Sequence, residues 1–177
     1  MFLATTGTLS SSVKSSGTEP SLSVLPELVE CTAPAYEKVF TINVNVIDVT
    51  DLFGYEFKLS WNTTLLDCLG SNVTPPEDWD PNYIVAVNEV NETLGQYWLA
   101  VIAIPSASPF TGNTSIGRLT FKVTCDPIYP ENASCLFHLF DTILVDENAA
   151  PIDHTTHDGE YRCYSLRPVV KVLPPEY

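Results

Sequence analysis

One stretch, residues 39–62, constrains the fold of this chain more than any other: VFTINVNVIDVTDLFGYEFKLSWN. Phe40, Ile42, Val44 and Val46 alternate with Thr41, Asn43 and Asn45. After a short break, Phe53, Tyr55, Phe57, Leu59 and Trp61 alternate with Gly54, Glu56, Lys58 and Ser60. Alternation of period two over this length marks strands with one buried and one wet face, and helical spacing does not fit it. Between the two runs, Asp48, Thr50 and Asp51 carry the side-chain oxygens that favour a turn. Two adjacent amphipathic strands cannot hide their apolar faces from each other, so a second sheet is expected opposite them.

The same reading along the chain predicts an all-β sandwich of about nine strands, with no helix of note and no internal repeat. SLSVLP (21–26) reads as a first strand, and 28–38, which contains Pro34, as an irregular edge or loop. Residues 63–73 read as a strand through Leu65, Leu66, Cys68 and Leu69. TPPEDWDPN (74–82) reads as a proline-rich loop that exposes Trp79. YIVAVNEV and QYWLAVIAI form a hairpin across NETLG, and 105–115 is a loop. Residues 116–125 put Leu119, Phe121, Val123 and Cys125 on one face. A strand at 135–145, a long polar turn at 146–159 and extended pieces at 160–164 and 169–173 complete the list. The predicted core contains Phe40, Ile42, Val44, Phe57, Leu59, Leu119, Phe121 and Val123. The expected division is an extended N-terminal tail (1–20), one sandwich (21–164) and an extended C-terminal tail (165–177).

With 177 residues, 45% of them hydrophobic, the chain fits one domain with a full core. Its net charge of −14 comes from 8 Lys+Arg against 22 Asp+Glu. A nucleic-acid binder needs a basic stripe to displace counterions, and this sequence has none. The acidity reads as a soluble, self-repelling surface, or as carboxylates gathered for Ca²⁺ or a basic partner. No run approaches the length of apolar residues that spans a membrane. Met1-Phe2-Leu3-Ala4 is too short for the apolar core of a secretory leader, so the chain reads as a processed form.

Cys31, Cys68, Cys125, Cys135 and Cys163 show no CxxC spacing, which speaks against a zinc site or redox pair. Cys125 and Cys135 flank the loop between two strands, where a hairpin-closing disulfide would contribute about 3 kcal/mol. Cys31 and Cys163 lie near the two ends of the folded region and are a second candidate pair. Cys68 is then a buried free thiol; free thiols throughout are the alternative. Five Asn-x-Ser/Thr acceptors, at Asn62, Asn72, Asn91, Asn113 and Asn132, are more than the serine and threonine content produces by chance. All five fall at predicted strand ends or loops, where an enzyme reaches them. With the cysteines, they point to a protein outside the cytoplasm, extracellular or on a cell surface.

The run FTINVNVIDVTDLFGYEFKLSWNTTLLD resembles the opening of cohesin-type domains, particularly those of archaeal surface proteins. GRLTFKV (117–123), FDTILVD (140–146) and PIDHTTHDGEY (151–161) follow in the expected order, so the likeness covers residues 21–164. The resemblance implies a nine-stranded jelly-roll sandwich and a non-catalytic binding role; cellulosomal cohesins bind dockerin modules on one sheet face. Five cysteines and five glycosylation acceptors depart from the bacterial pattern. No duplicated calcium loop, the mark of a dockerin, occurs in the chain.

Candidate chemistry is sparse. His154 and His157, flanked by Asp153 and Asp158, stand three apart in a segment that ends in Asp-Gly and reads as a turn. Zinc needs a third, well-placed ligand. A structural, hydrogen-bonding His154 is the simpler reading. Asp141, Asp146, Asn148, Asp153 and Asp158 are the candidate oxygen ligands for Ca²⁺, although their spacing is not that of an EF-hand. His138 reads as a strand residue, packed or facing the surface. GxSxG, P-loop and dinucleotide motifs are missing. Trp61, Trp79 and Trp98 suggest a sugar-stacking platform, but for Trp61 and Trp98, both in strands, core packing is favoured. An enzyme is not expected.

Two functions remain. In the first, the chain is a glycosylated structural subunit of an extracellular filament, a homopolymer built by donating a terminal strand to a neighbour's open sheet. Residues 1–16 are the candidate donor, with Leu3, Leu9 and Val13 filling pockets; 166–173 is the second choice. In the second, it is a cohesin-like receptor for a dockerin-like protein module.

Overall fold

The computed structural model describes residues 19–166 and forms two packed β-sheets. Eleven strands occur among them: β1 (Ser21–Leu25), β2 (Leu28–Thr32), β3 (Val39–Leu52), β4 (Gly54–Ser60), β5 (Leu66–Val73), β6 (Tyr83–Asn91), β7 (Gln96–Ala103), β8 (Phe110–Val123), β9 (Ala133–Val145), β10 (Thr155–His157) and β11 (Gly159–Tyr164). One sheet has the order β10-β1-β3-β8-β5 and the other β2-β11-β9-β4-β7-β6. Pairing is antiparallel except for β1 with β10 and β2 with β11. This is the expected jelly-roll sandwich. The donor residues Leu3, Leu9 and Val13, and the piece at 169–173, lie outside the described residues.

The alternating stretch divides differently from its expected pairing. β3 and β4 are not neighbours in one sheet; the chain crosses between sheets at Leu52–Gly54, and the two strands belong to opposite sheets. The Asp48–Asp51 segment is not a turn between them. It stays within β3, where Asp48 and Asp51 take positive φ and the ladder with β8 shifts register. Ile42, Val44 and Val46 from β3 and Tyr55, Phe57 and Leu59 from β4 therefore enter the same core from opposite sheets, all buried. Of the predicted core, only Phe40 is less than buried. It stacks at the margin on Tyr161 (centroids 5.4 Å apart) and Phe121 (5.9 Å).

Four further corrections concern long-range pairing. Residues 28–32 are a strand, because Val29 and Cys31 turn inward along a parallel ladder with β11. The predicted loop at 105–115 is strand from Phe110 onward, held by β3 across its irregularities. The polar turn at 146–159 contains β10. Cys125 and Cys135 do not flank a hairpin, since β8 and β9 belong to opposite sheets. At the β6–β7 turn, Gly95 takes φ +62°, and a Cβ there would meet Thr63 Cγ2 at 2.7 Å. Its carbonyl accepts from Trp61 N–H (2.9 Å), which ties the hairpin to the end of β4.

Candidate binding face

β9, β4, β7 and β6 lie side by side, so their alternation creates a continuous outer face. Tyr55, Phe57 and Leu59 point into the core, which turns Glu56, Lys58 and Ser60 outward. Register places Ile84, Ile102 and Gly54 in one row. Ile143, Glu56 and Ala100 form the next, and Phe140, Lys58, Trp98 and Glu89 the one after. Ile84 is 54% exposed, Ile143 48% and Ile102 45%, a cluster of large apolar groups left in water. Among them is a hollow of about 240 Å³, lined by Gly54, Glu56, Ala86, Ala100, Ile102 and Ile143. Gly54 leaves it open: a Cβ at that position would come within 2.9 Å of Val145 Cγ2.

Several polar groups bordering this surface are already paired. Lys58 Nζ binds Asp141 Oδ2 (2.9 Å) and lies 5.1 Å above the Trp98 ring. Trp98 Nε1–H donates to Glu56 Oε1 (2.8 Å). His138 Nδ1 lies 2.8 Å from Asp158 Oδ2, and its ring stacks on Phe140. Beneath the face, burial pushes the Tyr97 phenol up to about 12, and its O–H donates to Asn88 Oδ1 (2.9 Å). Side chains fixed in this way lose little freedom on meeting a partner.

The outer face of the other sheet is different in kind. It carries a Thr41–Thr120 hydroxyl contact (3.3 Å), an Arg118–Asn43 hydrogen bond (3.1 Å), and Lys122 between Asp67 (3.7 Å) and Glu37 (3.8 Å). A contiguous apolar patch on one sheet only is the usual sign of an interaction surface.

The sequence-predicted sites fall elsewhere. All five acceptor asparagines are exposed. Asn62, Asn91 and Asn132 gather at one end of the sandwich; Asn72 and Asn113 belong to the polar sheet. None stands in the apolar rows, the nearest being Asn91 in the last row beside Gln96. The expected Ca²⁺ ligands do not converge. Asp141 holds Lys58, and Asp146 Oδ1 accepts from the N–H groups of Asn148 and Ala150 (both 2.8 Å). Asp158 is spent on His138 and the Leu139 N–H, and Asp153 is exposed in the turn. Among the described residues, no group of three or more His, Cys, Asp or Glu is placed to hold a metal ion.

His154 is structural as expected, its nitrogens on Ile152 O (2.8 Å) and Thr142 Oγ1 (2.9 Å). All five cysteines are free thiols. Cys31 and Cys163 stand opposite each other. Cys125 Sγ instead lies against Thr64 O (3.4 Å) and Cys135 Sγ against Asn62 N–H (3.1 Å). The tryptophans trade places: Trp79, expected outside, is fully buried, whereas Trp98, expected in the core, is on the face. The apolar face itself was missed. Its signal was the run Leu99 to Ile104 and the valines of β6, where apolar residues occupy both parities of the strand.

No protein-family model matches this sequence, and no curated protein sequence does. Solved structures do. The cohesin of a type I cohesin–dockerin complex from Clostridium thermocellum, OlpC with its dockerin, superposes with a TM-score of 0.67 at 11% identity, covering 88% of this chain and 100% of its own. The third ScaC cohesin of Acetivibrio cellulolyticus, in complex with the ScaB dockerin, gives 0.65 at 9% identity over 82% and 99%. A non-cellulosomal cohesin from the archaeon Archaeoglobus fulgidus gives 0.61 at 13% identity over 84% and 93%. The resemblance read from the sequence holds: the fold is that of cohesins.

Proposed function

From a chain with the cohesin fold, we propose a non-catalytic recognition module of the cell surface or extracellular space, binding a dockerin-like protein on the outer face of β9, β4, β7 and β6. The observation that carries this reading is the cluster of exposed isoleucines, Ile84, Ile102 and Ile143, in two adjacent rows of a sheet whose central rows bear no glycosylation acceptor. Cohesins of the same fold are seen in complex with dockerins. The partner's chemistry follows from the surface. An apolar strip would fill the hollow, and bordering lysines or arginines would meet Glu56, Glu89 and Asp141 in a chain of net charge −14.

The test is a photo-cross-linking residue at Ile102, with one at Thr41 on the polar sheet as control, in protein displayed on its native cells. An adduct at Ile102 only, with a protein bearing paired calcium loops, and lost on prior chelation of Ca²⁺, is the expected result. No adduct, or equal adducts at both positions, overturns it.

The second reading is a glycosylated filament subunit assembled by strand donation. It is favoured by the outer edge of β6, nine residues long and paired only with β7 among the described strands. Leu3, Leu9 and Val13 of a neighbouring copy would supply the donor. Under that reading, negative-stain images show filaments that disappear when residues 1–16 are deleted.

A further inference from the structure

The ladder between β2 and β11 puts Cys31 directly across from Cys163. The strands are parallel, so residues in register point to the same side, and adjacent strands lie about 4.8 Å apart. That spacing falls within the range of Cα separations a disulfide bridges, about 4.4–6.8 Å. Both side chains turn inward: Cys163 is fully buried and Cys31 half-buried at the sheet's edge. Tyr161, two residues before Cys163 on the same face, has its hydroxyl 3.1 Å from Cys31 Sγ. Phe40 stacks flat on the Tyr161 ring, with centroids 5.4 Å apart and planes 3° from parallel. The remaining cysteines have other neighbours: Cys68 the Gly70 carbonyl, Cys125 the Thr64 carbonyl, Cys135 the Asn62 N–H.

We propose that Cys31 and Cys163 form a disulfide that fastens the edge strand β2 to β11, and that the free thiols of the structure are its reduced form. β2 is five residues long and its only ladder partner among the described strands is β11, so it is the described strand of this sheet with least to hold it. In the oxidation each thiol gives up one proton and one electron. A glutathione disulfide accepts both pairs and leaves as two glutathione thiols, while one S–S bond breaks and one forms. Burial and the neighbouring Cys31 push the Cys163 thiol up to about 11, so an exchange that begins at the half-buried Cys31 is the accessible route.

The experiment incubates the full chain in a glutathione redox buffer, alkylates it in denaturant without reductant, and maps its peptides by mass spectrometry. The expected product is one cross-linked species containing Cys31 and Cys163, lighter than the sum of the two thiol peptides by two hydrogens. In the Cys31→Ser variant Cys163 becomes alkylatable, and the melting temperature falls by about 10 °C from that of the oxidised protein. Should that variant fail to fold, the peptide map of the unaltered chain decides alone. Alkylation of both residues, or a bridge from Cys163 to Cys125 or Cys135, overturns the proposal.

Discussion

Trp79 sits in a proline-flanked loop, yet no part of it reaches solvent. A single 3-10 turn, Glu77–Trp79, swings the ring beneath the sheet, 6.0 Å from Tyr55 and 6.4 Å from Phe53. Its Nε1–H finds the Ser108 carbonyl at 3.1 Å, so the indole is buried without a polar debt. Trp79→Ala should therefore cost about 3–5 kcal/mol in a urea titration, the usual range for deleting a large buried aromatic. Trp98→Ala, removing a ring that lies on the outer face, should cost about 1 kcal/mol or less. Equal losses would refute this assignment of depth. Local sequence could not separate the two, because strand membership decides which rows a side chain joins but not whether anything covers them. For Trp79 the cover comes from Phe53 and Tyr55, whereas Trp98, with the Lys58 ammonium 5.1 Å over its ring, stays 37% exposed.

At the scale of elements, the strands legible in the sequence were those with one wet face. β3, β4 and β8 past Ile116 alternate cleanly, and of the core residues expected in them all but Phe40 are buried. β2, β10 and the first third of β8 were not legible. Each is made a strand by a partner far along the chain, β2 by β11 and β10 by β1. The exposed apolar face was hidden for a related reason: β6 and β7 are apolar on both sides, and such runs read simply as buried. Element ends also carry the processing chemistry. Asn62, Asn91, Asn113 and Asn132 each use Oδ1 as an acceptor, from Thr64, Leu94, Asp48 and Ser165 N–H respectively, while a glycan attaches at Nδ2. Native protein should thus lose mass on deglycosylation at several of these sites. Asn72 is expected to be the least occupied, since Pro75 directly follows its acceptor triplet. An unchanged intact mass would remove the glycoprotein reading.

For the whole molecule, the decisive feature is that the first described strands pair with the last described ones, and in parallel. β1 and β2 run beside β10 and β11 through three and five register pairs. Tension applied to the chain before Ser21 and after Tyr164 pulls the two flanks along their common axis in opposite directions. Ladder hydrogen bonds are then loaded in shear and must fail together, whereas pulling on the β6 edge would peel its bonds from β7 one at a time. Single-molecule stretching should accordingly give a far higher rupture force through residues 21 and 164 than through residue 91 and residue 164; similar forces would exclude this load path. A covalent Cys31–Cys163 link within the ladder would go further, carrying the tension straight from one flank to the other and leaving the intervening sandwich unstretched.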